Sequence, residues 1–161
     1  MRVSPVKYAR GIGVQVGERC KFVGISGGTF GSEPYLISIG NHVETSFGVN
    51  FITHDGGVWV VRDQEPDLDV MATIQVGNNV FIGANSIILP GTNIGDDCVV
   101  GAGSVVRGEI PSGSVVAGVP AKVIKETNAY IKQSIELGVR TKLMKPAEKR
   151  KYLTQHFGIR L

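Results

Sequence analysis

Several residue classes are scarce in this chain, and each scarcity excludes something. No apolar run approaches the roughly 20 residues that a membrane-spanning helix requires. The opening stretch MRVSPVKYARGIG also lacks the apolar segment of a secretory leader. Neither a membrane span nor a signal peptide is expected. Cysteine is limited to Cys20 and Cys98 in 161 residues. Far apart and without metal-type spacing, the two read as free buried thiols, which suits a cytoplasmic location. Excess charge is small: 17 Lys and Arg stand against 14 Asp and Glu, a net of +3. That falls short of the dense basic block of a nucleic-acid binder, so no nucleic-acid partner is expected, while the mild positive balance suits a ligand bearing phosphate. Aromatic residues amount to 7%, with one tryptophan. Glycine, by contrast, is plentiful at 22 residues. Because glycine gives up the most freedom on folding, its abundance points to many tight turns at regular places.

The regularity is a period of six. Residues 76–111 divide into VGNNVF, IGANSI, ILPGTN, IGDDCV, VGAGSV and VRGEIP. The first residues are Val76, Ile82, Ile88, Ile94, Val100 and Val106, all β-branched aliphatics. The fifth are Val80, Ser86, Thr92, Cys98, Ser104 and Ile110, all small or β-branched. Upstream, Val70 with Ile74 continues the frame and hexads from Val16 and Phe22 keep its phase, whereas the block from Ile39 through Thr45 and Phe51 is shifted by one residue. Irregular connections are expected on both sides of that block. Neither the 3.6-residue period of a helix nor the alternation of a strand explains a repeat of six. A short strand followed by a turn does, with the aliphatic pointing inward, the small residue in a crowded corner, and three such strands closing a triangular coil. Residues 18 apart then stack: Val76 on Ile94, Ile82 on Val100, Ile88 on Val106 and Ser86 on Ser104. The fold expected is all-β, a parallel β-helix. Periodicity does not supply its hand, and the usual right-handed crossover rule points the opposite way from the resemblance below.

The segment IQVGNNVFIGANSIILPGTNIGDDCVVGAGSVVRGEIPSGSVVAGVPAKVIKE resembles the hexapeptide-repeat acetyltransferases. The similarity is greatest to the maltose/galactoside, xenobiotic and capsule or O-antigen O-acetyltransferase branches. Hexads alone specify a helix, whereas the ending GSVVAGVPAKVIK is a mark of the acyl-CoA branch. The resemblance, which covers about residues 10–126, implies that the parallel β-helix is left-handed; the domain expected is 1–126 with an excursion loop at 55–69, and the residues after it are expected to form a helical tail at 127–161. It also implies a homotrimer with active sites at subunit interfaces, and acetyl-CoA as acyl donor in the groove between neighbouring copies. Carried over by residue, it sets Ala84 and Ala102 beside the pantetheine arm, where small side chains let backbone amides approach a ligand. It sets Lys122 and Lys125 toward the CoA phosphates. Many relatives carry threonine and lysine where this chain has Arg107, Gly108 and Glu109. Arg107 is expected to take over a phosphate contact there, with Glu109 opposing it.

Of the three histidines, only His54 sits where the repeat breaks, in FITHDGG ahead of the excursion VWVVRDQEPDLD. Function concentrates in loops on a rigid scaffold. In the family that the chain resembles, a histidine at this point is the general base, a role that suits imidazole because it accepts and returns a proton near neutral pH. In the hexad frame Asp55 falls at an inward fifth position, so the chain is expected to leave the coil at His54. Asp55 is a catalytic candidate to orient the ring, with Glu44 or a backbone carbonyl as alternatives. Trp59 is the substrate-binding candidate, able to stack on a sugar or an adenine, with packing against a neighbouring subunit as the other reading. His42 reads as a corner residue, and His156 lies beyond the coils.

The tail has Ile131, Ile135 and Val139 at four-residue spacing, with Gly138 near a stop, and a second helix is expected from Pro146, with Tyr152, Leu153 and Phe157 as an apolar edge. Its basic run of Lys149, Arg150 and Lys151 reads as a solvated face, and contact with an anionic membrane is the lesser reading. The function expected is transfer of acetyl from acetyl-CoA to a hydroxyl of a sugar or polysaccharide precursor. N-acetylation of an amino sugar or xenobiotic is the alternative. A γ-type carbonic anhydrase needs three histidines around zinc. Residues 76–111 hold none, so no metal site is expected. A non-enzymatic ice-binding helix would need flat threonine ranks, which the hexads lack.

Overall fold

The computed structural model describes residues 4–160. They form two compact units that divide between Tyr130 and Ile131. In the first, short strands stack on three faces. One face holds Gln15–Val16, Ile37–Ile39, Ile74–Val76, Asn93–Ile94 and Glu109–Ile110. The second holds Lys21–Phe22, Glu44–Thr45, Phe81–Ile82, Val99–Val100 and Ser114–Gly118, closed by Ala121–Glu126 running back antiparallel. The third holds Asn50–Phe51, Ile87–Ile88 and Val105–Val106. All other pairings between coils are parallel, and the expected 18-residue stacking is observed for Val76 with Ile94, Ile82 with Val100 and Ile88 with Val106.

Side-chain chemistry follows the period. Ile82, Ile88, Ile94, Val100 and Val106 are buried in the ladders, and Val80, Ser86, Thr92, Cys98 and Ser104 are buried at the corners. The buried hydroxyls are satisfied there: Ser86 Oγ donates to the Gly83 carbonyl at 2.8 Å and Ser104 Oγ to that of Gly101 at 2.6 Å. Burial pushes the Cys98 thiol up. At the corner between the first two faces Arg19, His42, Asn79 and Asp97 all take left-handed backbone angles, with φ of 55–57°. Asn and Asp tolerate that region because their side chains bond locally. Here the bonds run between coils, His42 Nδ1 lying 2.8 Å from Asn79 Oδ1. His42 is thus a corner residue, as the pattern predicts.

The structure departs from the hexad frame at two ends. Ile110 pairs with Ile94, 16 residues back, so the corner after Val106 is two residues short and Ile110 fills an inward strand position rather than a fifth-position corner. Val70 is 48% exposed, and only Ile74 of that pair is buried, because Val70 belongs to the stem of the excursion. Two insertions account for the shifted phase. Val16 pairs with Ile39, 23 residues on, and Ile39 with Val76, 37 residues on, against the 18 of a regular coil. A helix absent from the hexad pattern, α1 (Pro5–Gly11), buries Ala9 in the core. Its cap is Ser4, whose Oγ accepts from Lys7 N.

Two further helices, α2 (Thr127–Leu137) and α3 (Pro146–His156), arise where the sequence places them, α3 with Pro146 in its first turn. Within the second unit the Tyr152 ring stacks on His156 at 5.6 Å.

Candidate active site

The two insertions meet at the third face. In the first, Phe30 lies buried with its ring stacked on Phe51 at 5.6 Å and edge-on to Phe22 at 5.7 Å. This anchors the segment under the second coil, and the Phe51 N–H donates to the Thr29 carbonyl at 2.8 Å. Gly31 then turns with φ of 62°, where an added Cβ would lie 3.2 Å from the Phe51 carbonyl oxygen. Only glycine meets both demands without strain. The turn carries Ser32 and Glu33 beside the second insertion. That insertion is closed at its base by a short antiparallel stem: Asp55 N donates to Val70 O at 2.8 Å, Ala72 N to Thr53 O at 2.9 Å, and His54 pairs with Met71.

His54 therefore sits on a fixed stem, not on the loop that follows it. Glu33 Oε2 lies 3.0 Å from His54 Nδ1 and accepts from the Thr53 hydroxyl at 2.8 Å, and Ser32 Oγ lies 3.5 Å from the same ring nitrogen. The Glu33 side chain is 13% exposed and that of His54 42%. Hydrogen bonds from Thr53 and then from His54 hold the Glu33 carboxyl below its ordinary value, outweighing burial. A carboxylate beside Nδ1 favours the tautomer with the proton on that nitrogen, leaving the Nε2 lone pair as the acceptor.

Asp55 is not the partner of His54. It is exposed instead of inward, and its Oδ1 accepts from Gly57 N at 2.8 Å, capping the 3-10 turn Gly56–Val61. Thr53 takes the buried place, since successive side chains of an extended chain point to opposite sides. Glu44 is engaged with Lys21 at 2.7 Å. Trp59 stands 77% exposed on the 3-10 turn. The excursion holds its own shape through Arg62, which donates to the carbonyls of Pro66 and Leu68.

Two of the donor-binding candidates, Ala84 and Ala102, occupy the corner between the second and third faces. Gly103 N donates to Ala84 O at 2.8 Å, so Ala84 and Ala102 lie on successive coils. An added Cβ on Gly83 would come within 2.5 Å of Ala102 N, which shows how closely these turns stack. Ala84 is half-buried and Ala102 exposed. One coil further, Ala117 packs over Gly101 and faces Lys122 across the terminal hairpin, where Lys125 faces Val115. Lys122 thus continues the column of Gly83, Gly101 and Ala117, one residue along the chain from that of Ala84 and Ala102. Arg107 lies apart from it, exposed at the far end of the third-face strand Val105–Val106, and Glu109 accepts from Asn93 at 2.9 Å. His54 follows the Asn50–Phe51 strand at that same far end.

Glu33 is the member that the repeat pattern does not name. Its signal is the broken phase ahead of Ile39, which marks an insertion containing this carboxylate. Among the described residues, no group of three or more His, Cys, Asp or Glu is placed to hold a metal ion.

Known proteins match this architecture. Residues 73–107 fit the family model described as hexapeptide repeat of succinyl-transferase. Protein CapG of Staphylococcus aureus is 52% identical over 148 residues, which covers 92% of this chain and 86% of that protein. Galactoside O-acetyltransferase of Escherichia coli strain K12 is 54% identical over 55 residues, 34% of this chain and 27% of that protein. A crystal structure of a maltose O-acetyltransferase from Clostridium difficile 630 superimposes with a TM-score of 0.56 at 31% identity, covering 72% of this chain and 60% of that one. The chain therefore spans less than two thirds of either of these named O-acetyltransferases. The match to CapG runs over nearly the whole of both chains, and the stacked hexads agree with it. The chain belongs to the hexapeptide-repeat acetyltransferase superfamily, and its coil is the left-handed β-helix of that family.

Proposed function

We propose that the protein transfers the acetyl group of acetyl-CoA to a hydroxyl of a sugar or polysaccharide precursor, with His54 as general base and Glu33 as its positioning residue. The observation that carries this reading is the exposed His54 ring at the base of the excursion, its Nδ1 held 3.0 Å from a carboxylate. Nε2 takes the proton of the acceptor hydroxyl as that oxygen attacks the thioester carbonyl. Collapse of the tetrahedral adduct breaks the carbon–sulfur bond, and the proton passes from Nε2 to the CoA sulfur, which restores the neutral ring. The sugar acceptors in the names of the galactoside and maltose enzymes support the substrate class.

On this reading Ala84 and Ala102 admit the pantetheine arm, Lys122, Lys125 and Arg107 meet the phosphates, and Trp59 stacks on the acceptor. Asp55 caps the turn that carries Trp59 and reaches the reaction only through it. The Ala84–Ala102 column and His54 lie at opposite ends of the third-face strands. A groove between two copies of a homotrimer brings one copy's column against its neighbour's His54. No helix among the described residues is long and apolar enough to cross a membrane. We assign the reaction to the cytoplasm, where acetyl-CoA is supplied.

The test is thiol release from acetyl-CoA, with a panel of sugars and amino sugars offered to the native protein and to His54→Ala. Release that requires a sugar and falls about 10²–10⁴-fold in the variant is the expected result. Equal release by both proteins would remove His54 from the chemistry, and release only with amino sugars would favour N-acetylation.

A further inference from the structure

Charge is divided unevenly along this chain. Residues 1–130 carry nine Lys and Arg against twelve Asp and Glu, a net of −3, whereas residues 131–161 carry eight against two, a net of +6. The whole cationic excess thus lies in the small C-terminal unit. None of its Lys and Arg enters an ion pair among the described residues. Between α2 and α3 the connection holds Arg140, Lys142 and Lys145 around Leu143, which is 99% exposed. Leu137, Phe157 and Ile159 are exposed in the same unit.

We propose that this unit docks on an anionic lipid bilayer, with Leu143 entering the acyl boundary and the flanking cations lying among the headgroups. The occupant follows from matching both features at once. A nucleic acid would meet the charge and leave Leu143 in water. A second copy meeting it tail against tail would accept Leu143 and set +6 against +6, and one meeting it through residues 1–130, at −3, is the oligomeric outcome tested below. A bilayer with anionic headgroups receives an exposed aliphatic and its cationic collar together. The loop, not α3, is the leading element: the Lys149–Lys151 run is a solvated helix face in sequence, and Leu143 is what distinguishes this surface from a merely basic one. The inference goes beyond acetyl transfer and stands independently of it.

Sedimentation of the full-length protein with phosphatidylcholine vesicles, with and without phosphatidylglycerol, tests it. Binding is expected only where phosphatidylglycerol is present, and added salt should weaken it. Lys142→Gln together with Lys145→Gln should weaken binding about 30-fold, since each cation near such a surface contributes about fivefold. Leu143→Ser should weaken it further without changing the melting temperature or the native mass. Equal binding to both vesicles, or none at low salt, would overturn the proposal. So would a Leu143→Ser variant that keeps lipid binding but loses its oligomeric state, which would give this face to a second copy.

Discussion

Glu33 does two things at once, and they can be separated. Its carboxyl is held below its ordinary value by Thr53 and then His54, so it stabilises the fold at pH above its unfolded value, and that stabilisation fades as pH falls through the lower folded value. Glu33→Gln should therefore cost stability at neutral pH and converge with the native protein in acid, as read from urea midpoints across the pH range. In turnover the same change should lower kcat by no more than the roughly 10²–10⁴-fold that a general base supplies, with little effect on the acceptor KM. A drop in KM with unchanged kcat would deny Glu33 its positioning role. At this scale the sequence is only partly legible. His54 is visible because it marks the break in the repeat. Asp55 looks like its partner because adjacency in sequence suggests proximity, yet neighbouring side chains of an extended segment diverge. Glu33 lies 21 residues away in an insertion that no period describes.

At the scale of the elements, most of the coil is legible because one inward aliphatic every six residues is a demanding pattern. Val76 through Val106 are placed correctly from it, whereas Ile110 is not, since the shortened corner at Gly108 changes the spacing without changing the residue type. Val70 misleads for a related reason: an aliphatic at the right interval lies on an exposed stem. The amide ladder is hidden as well. Asn41 Nδ2 donates to Asn78 Oδ1, and Asn78 Nδ2 to Asp96 Oδ1, each at 3.0 Å, bonds that form only when coils are stacked. Two substitutions separate the ladders from the corner column. Ile94→Ala should lower the unfolding free energy by about 2–5 kcal/mol, because the coils above and below cannot close on the cavity. Ala102→Trp, at an exposed position, should leave thermal melting within a few degrees of native and abolish acetyl-CoA binding in calorimetry. Normal binding by that variant would take the acyl donor away from this corner.

At the scale of the whole molecule, the helix presents the Ala84–Ala102 column and His54 at two different corners, so a site that uses both needs a second copy. The native mass measured by sedimentation equilibrium should be three times 17.2 kDa. A monomer that transfers acetyl groups at full rate would contradict a shared site. Fold and family are legible in the amino-acid sequence itself, since both rest on repetition. The hand of the coil comes only with the family, because a period is the same in either sense.

The most direct measurement follows the acetyl group itself. Acetyl-CoA labelled in the acetyl carbon is incubated with a sugar acceptor and the native protein or His54→Ala, and the labelled product is treated with mild alkali. With the native protein, label is expected in the sugar and released by alkali as from an ester, and with the variant little label is expected. Alkali-resistant label would mean an amide and a nitrogen acceptor. Equal labelling by His54→Ala would mean that this histidine does not take the proton.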